Sequence, residues 1–254
     1  MFTGDFGVGL ILFILGIQFI AGFIKTIAGF GNGAISGPIL ALRLDTSQIT
    51  ASNGIVDLPL NGYFAFKYRR SYKLKKYMLY AAVIAAGGLM GAFLLKFSPP
   101  WILKILVGIF VIGLGVKMLF EKNKQKKGMK EWLKIPFFLL GGFTGGLFGI
   151  NVFFVPEFRR MADTPEEFKG SVCFTYALDL LIRVPVYIIM GIITWNVVKI
   201  ALTSAAGLAL GMAAGSMVEK RINQRTAEVI TMCVMILGGL SVIAKTLLSL
   251  AGII

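Results

Sequence analysis

Apolar runs near 20 residues, the length that carries a helix across the hydrocarbon core of a bilayer, recur in this chain from residue 8 almost to its last residue. That recurrence limits the chain more than any motif does. Of its 254 residues, 57% are hydrophobic and 15% are charged, whereas a soluble domain carries about 25% charged residues. A globule of this size still needs a polar skin, so the apolar surplus has no interior to fill. The reading is an all-α polytopic membrane protein of eight to ten membrane segments, with no stretch left over for a soluble catalytic domain, a signal peptide or a nucleic-acid module.

Division at the basic interruptions gives segments 8–28, 33–43, 48–66, 77–96, 101–120, 135–149, 151–158, 168–190, 197–218 and 226–250. Two of them, 33–43 and 151–158, are too short to span. Each follows a glycine-rich interruption, Gly29-Phe30-Gly31-Asn32-Gly33 and Gly145-Gly146-Leu147-Phe148-Gly149-Ile150-Asn151, and so reads as the second piece of a broken or re-entrant helix. A shift of 118 positions puts Gly31 on Gly149, Gly33 on Asn151, Pro38 on Pro156 and Asp45-Thr46 on Asp163-Thr164. A shared offset across a break, a proline and a turn signals internal duplication, with a first repeat over 1–125 and a second over 126–254.

Lys and Arg number 26 against 12 Asp and Glu. In a soluble protein this excess would point to nucleic acid; here the basic residues crowd into short loops, as cytoplasmic loops of membrane proteins do. If each half holds five segments, the second half enters the bilayer from the opposite side. Loops 67–76, 121–134, 159–169 and 219–225 then lie inside with 18 basic residues, against 4 outside (Arg43, Lys96, Lys104 and Lys199). Parallel halves of four crossings give a weaker bias, 13 against 9. The positive-inside rule therefore selects inverted repeats with both termini outward. The expected location is a bacterial inner membrane.

Unwound backbone is tolerated at membrane depth only where protein or a water-filled cavity satisfies it, and paired broken helices in two repeats point to a transporter's binding site. Helix pieces starting near Gly33 and Asn151 would offer free N–H groups and a positive dipole end to an anion. The alternative is that glycines serve close helix packing, the role expected of Gly87/Gly91 and Gly211/Gly215. Polar residues recur every four positions after each break, Asn53, Asp57 and Asn61 in one segment and Ser171, Thr175, Asp179 and Arg183 in the other, so each set shares one helix face. Arg183 either neutralises Asp179 one turn away or grips an oxyanion with its planar fork. Asp57 either carries a coupling proton or bonds a broken-helix backbone. Lys25 would snorkel or cap its helix end, and Lys117 and Lys245 would snorkel. Cys173 and Cys233 read as small buried hydrophobes. The sequence has no histidine, which removes the usual general base and metal ligand, so neither an enzyme nor a metal or cofactor is expected.

Gly29-Phe30-Gly31-Asn32-Gly33-Ala34-Ile35-Ser36-Gly37-Pro38-Ile39-Leu40, its degenerate copy Leu147 to Pro156 and the duplicated layout resemble the TauE/SafE family of sulfite and organosulfonate exporters. The resemblance implies a secondary transporter of sulfite, thiosulfate, taurine or sulfoacetate. On that reading the anion sits between the two breaks, with Gly31, Asn32, Gly33, Gly149, Asn151 and Arg183 as donors and Asn53, Asn61, Ser171 and Thr175 shaping the pocket. Asp57 or Asp179 couples a proton. The expected partners are a small anionic substrate, the lipid bilayer and a second copy of the chain in a homodimer. An anion channel, or a carrier of a small carboxylate, is the rival reading.

Overall fold

The computed structural model describes residues 7–28, 32–120, 129–150, 154–218 and 224–252. Gly31 and Asn151, two of the expected site residues, lie outside them, as does the side chain of Lys117. The described residues form α1 (Val8–Ala28), α2 (Asn32–Leu40), α3 (Thr46–Lys67), α4 (Leu74–Phe97), α5 (Pro100–Phe120), α6 (Glu131–Phe148), α7 (Val155–Met161), α8 (Pro165–Ile189), α9 (Trp195–Val218) and α10 (Gln224–Leu250). Each expected segment corresponds to one of these helices, although α2 stops at Leu40 and residues 41–43 form turns. Five of them, α1, α4, α8, α9 and the Met232–Leu250 part of α10, are long and apolar enough to cross a membrane. The protein is an all-α polytopic membrane protein, and its outer surface shows why hydropathy announces it. Ile189, Leu202, Met217, Leu237 and Trp132 are all more than 60% exposed, a cost in water that lipid removes.

Helix ends follow local chemistry. Asp45 holds the N-cap position of α3, where its N–H donates to Gln48 Oε1 at 3.3 Å. Thr164 caps α8 by accepting from the Glu167 N–H at 3.1 Å, the arrangement that satisfies an orphan donor of the first turn. The short α7, Val155–Met161, carries Pro156 in its first turn, where a missing N–H costs nothing.

The packing repeats itself. Leu15, Phe19 and Phe23 of α1 press their carbonyls against Gly207, Gly211 and Gly215 of α9, so these helices run parallel. Leu139 and Phe143 of α6 meet Gly87 and Gly91 of α4 in the same way. Phe19, Gly22 and Phe23 advance by 120 to Leu139, Gly142 and Phe143, and Ile84, Gly87 and Gly91 advance by 124 to Leu208, Gly211 and Gly215. The Phe19–Gly211, Phe23–Gly215 and Gly22–Leu208 contacts thus have counterparts in Leu139–Gly87, Phe143–Gly91 and Gly142–Ile84. The glycines the sequence assigned to packing therefore do pack.

Two further pairs run antiparallel. Gly54 of α3 faces Leu180 and Val184 of α8, while Tyr68, at its other end, faces Gly170. Gly108 and Gly115 of α5 face Ile243 and Ile236 of α10. Hydrogen bonds from Lys76 Nζ to Met161 O at 2.5 Å and from Tyr77 OH to Glu167 Oε1 at 2.9 Å put the α3–α4 and α7–α8 connections at one end of the bundle. A groove lined by Asp45, Ser98, Pro100, Gly191 and Thr194 gathers the α2–α3, α4–α5 and α8–α9 connections at the other.

Candidate functional site

The two breaks meet. Gly33, in the first turn of α2, lies so close to Gly149 O that a Cβ at Gly33 would collide with that carbonyl. Gly149 ends α6 at φ 68°, a left-handed conformation that glycine adopts without a Cβ penalty. The N–H end of one broken helix thus abuts the carbonyl end of the other, so opposite dipole ends share one place. Beside this junction is a cavity of about 360 Å³, lined among others by Lys25, Asn32, Gly33, Asp57, Asn61, Gly149, Lys169, Cys173 and Tyr176. Its volume suits a small-molecule site.

Of the expected site residues, Asn32, Gly33, Asp57, Asn61 and Gly149 line the cavity. Asn32 is 6% exposed and its Oδ1 has no hydrogen-bond partner among the described residues. Asn61 Nδ2 donates to the Asp57 carbonyl at 2.8 Å. Asn53 stands behind the junction, where its Oδ1 accepts from Gln18 Nε2 of α1 at 3.3 Å and its Nδ2 is unpartnered.

The second polar stripe is elsewhere. Ser171, Thr175, Asp179 and Arg183 are buried but do not line the cavity; Val172, Cys173, Tyr176 and Leu180, on the neighbouring face of α8, do. Arg183 Nη2 donates to Asp179 Oδ2 at 2.7 Å, and Nη1 donates to Gly145 O. Tyr187 OH donates to Gly146 O at 2.8 Å. Cation and phenol together satisfy the last-turn carbonyls of α6 just before its break, a place that favours positive charge.

Two expectations are corrected. Lys25 neither snorkels nor merely caps its helix; its Nζ lies 3.5 Å from Asp57 Oδ1 across the α1–α3 boundary. Lys245, exposed near the end of α10, donates to Leu42 O at 2.8 Å, which is compatible with the snorkelling expected of it. Neither described cysteine is a buried hydrophobe: Cys173 is half-buried on the cavity and Cys233 is exposed. In a bundle surrounded by lipid, both faces of a helix are apolar, so an apolar neighbourhood does not report burial. Sequence reasoning missed Lys25, Lys169, Cys173 and Tyr176 as cavity residues. The available signal was Lys25, a cation one turn before a break.

A family model described as "Sulfite exporter TauE/SafE" matches residues 14–242. A "Probable membrane transporter protein" of Haemophilus influenzae is 26% identical over 159 residues, covering 57% of this chain and 60% of that protein. The chain thus spans less than two thirds of the length of that relative. No solved structure matches.

Proposed function

Because the chain belongs to the sulfite exporter TauE/SafE family, we propose that it is a secondary carrier of small sulfur-containing anions such as sulfite, thiosulfate, taurine or sulfoacetate. The observation that carries this reading is the cavity at which both chain breaks meet, with the N-terminal end of α2 on its wall. Free N–H groups there would take the oxyanion, and Asn32, Gly33 and Asn61 would orient it. Asp57 lines the cavity and Asp179 does not, so Asp57 is the carboxylate we assign to proton coupling.

Alternating access would rock one repeat against the other. Inverted repeats over 1–125 and 126–254 are supported by two features of the packing. The α1–α9 contacts recur as α6–α4 contacts at fixed offsets, and α3 and α5 run antiparallel to their counterparts α8 and α10. An axis in the membrane plane produces antiparallel counterparts; an axis along the membrane normal produces parallel ones.

The test is uptake of radiolabelled sulfite into proteoliposomes, with and without an imposed pH gradient, competed by sulfonates and carboxylates. Saturable uptake with counterflow, blocked by sulfonates and driven by the gradient, is expected. Ohmic current without counterflow would overturn the carrier for a channel. Competition by carboxylates alone would overturn the sulfur assignment.

A further inference from the structure

We infer that Lys25 is the cation that binds the transported anion, and that Asp57 is a tethered competitor occupying Lys25 whenever the site is empty. The inference rests on the carrier reading above and adds to it the residue that recognises charge and the group it must be taken from.

Among the described residues, two lysines line the cavity. Lys169 stands in the exposed first turns of α8. Lys25 stands in the last turn of α1, immediately before the first break, with a side chain 23% exposed toward the cavity and Asp57 Oδ1 at 3.5 Å. That separation is an ion pair without a formed hydrogen bond, and Asp57 Oδ1 has no hydrogen-bond partner among the described residues. Arg183, by contrast, has its guanidinium committed to Asp179 and to the α6 backbone.

A carboxylate set against an ammonium without a formed hydrogen bond, both side chains keeping about a fifth of their surface exposed, is a poor structural bridge, because partial exposure screens the pair. It is a good stand-in for a ligand. An arriving anion of like charge replaces Asp57 on Lys25, beside the N–H end of α2. When the anion leaves, Asp57 returns and the empty site crosses the membrane with its cation neutralised, which spares an unpaired ammonium the cost of the bilayer interior. The two side chains come from different helices, α1 and α3, so the exchange also registers occupancy as a change in how those helices are tied together.

The experiment measures equilibrium binding of radiolabelled sulfite to the purified full chain in detergent, and net flux against counterflow in proteoliposomes. The variants are Asp57→Asn, Lys25→Gln, Lys25→Arg and the double Lys25→Gln/Asp57→Asn, each first confirmed as folded by its thermal transition. If Asp57 holds Lys25 for nine-tenths of the time, its removal tightens binding about tenfold. Asp57→Asn should therefore bind more tightly and keep counterflow, yet lose most net flux because the empty carrier returns charged. Lys25→Gln should lose at least about tenfold in affinity, the worth of a charge-assisted hydrogen bond. The double variant should behave like Lys25→Gln, and Lys25→Arg should still bind. Equal effects of Asp57→Asn and Lys25→Gln on affinity would overturn the inference, since a merely structural bridge suffers equally from loss of either end.

The same series with a sulfonate, a carboxylate and chloride separates this inference from the reading beneath it. If sulfite fails but another monoanion gives the expected order of variants, the sulfur assignment falls and the Lys25–Asp57 exchange stands. If no anion binds either the natural protein or Asp57→Asn, the exchange itself falls.

Discussion

Arg183 is one of the largest fully buried side chains among the described residues, and its surroundings decide between two roles that residue spacing alone leaves open. It closes an ion pair with Asp179 and ties α8 to the last turn of α6. Removal of one partner of a buried pair leaves the other charge uncompensated, at about 3–5 kcal/mol. Arg183→Ala should therefore lower the thermal transition in detergent by an amount corresponding to that loss. The double Arg183→Met/Asp179→Leu, which removes both charges and keeps bulk, should recover most of it. A single variant as stable as the natural protein but without transport would return Arg183 to the role of anion ligand. Sequence spacing put Asp179 and Arg183 on one face, as found. It did not tell which way that face turns, because a stripe of period four rotated by one residue exposes Val172, Tyr176 and Leu180 to the cavity instead. Lys25 was invisible for a related reason: its partner is 32 positions away on another helix, and only tertiary packing brings the two together.

Whole elements were the most readable part of the chain, because a bilayer demands apolar runs of fixed length and every one of them became a helix. Which elements touch was much less readable. Glycine spacing hinted at it, through Gly87/Gly91 and Gly211/Gly215, but the partners α6 and α1 emerge only from the fold. These crossings make an element-level prediction. Gly87→Leu and Gly211→Leu place side chains against the Leu139 and Phe19 carbonyls of a parallel neighbour, backbone that cannot yield as a flexible side chain would. Both should prevent recovery of monodisperse protein, and to a similar degree if their crossings are equivalent. Gly113, with nothing within 4 Å of its missing Cβ, is the contrast. Gly113→Ala should raise the thermal transition slightly, by the roughly 0.4–1 kcal/mol that a helical glycine forgoes. If all three variants fold equally well, the close crossings are not what holds α1 to α9 and α4 to α6.

At the scale of the whole molecule, charge and geometry bear on the same question by independent routes. Loops 67–76 and 159–169 hold nine of the basic residues, and hydrogen bonds from Lys76 and Tyr77 to Met161 and Glu167 place these two loops at one end of the bundle. The turns around Ser98 and Thr194 share the opposite end. Halves entering from opposite sides require this grouping. Parallel halves of four crossings would put Ser71 and Asp163 on opposite sides of the membrane, and Ser98 and Thr194 likewise. Single cysteines at these four positions, in a Cys173→Ser/Cys233→Ser background, turn the difference into a labelling pattern. In intact cells an impermeant maleimide should reach Ser98→Cys and Thr194→Cys and leave Ser71→Cys and Asp163→Cys unmodified until the membrane is opened, because Lys and Arg mark the cytoplasmic face. Labelling of Ser71→Cys without Asp163→Cys would restore parallel halves. Labelling of that pair together, with Ser98→Cys and Thr194→Cys protected, would keep the inverted arrangement and reverse its orientation, and the cavity mouth near Lys169 would then open outward rather than toward the cytoplasm.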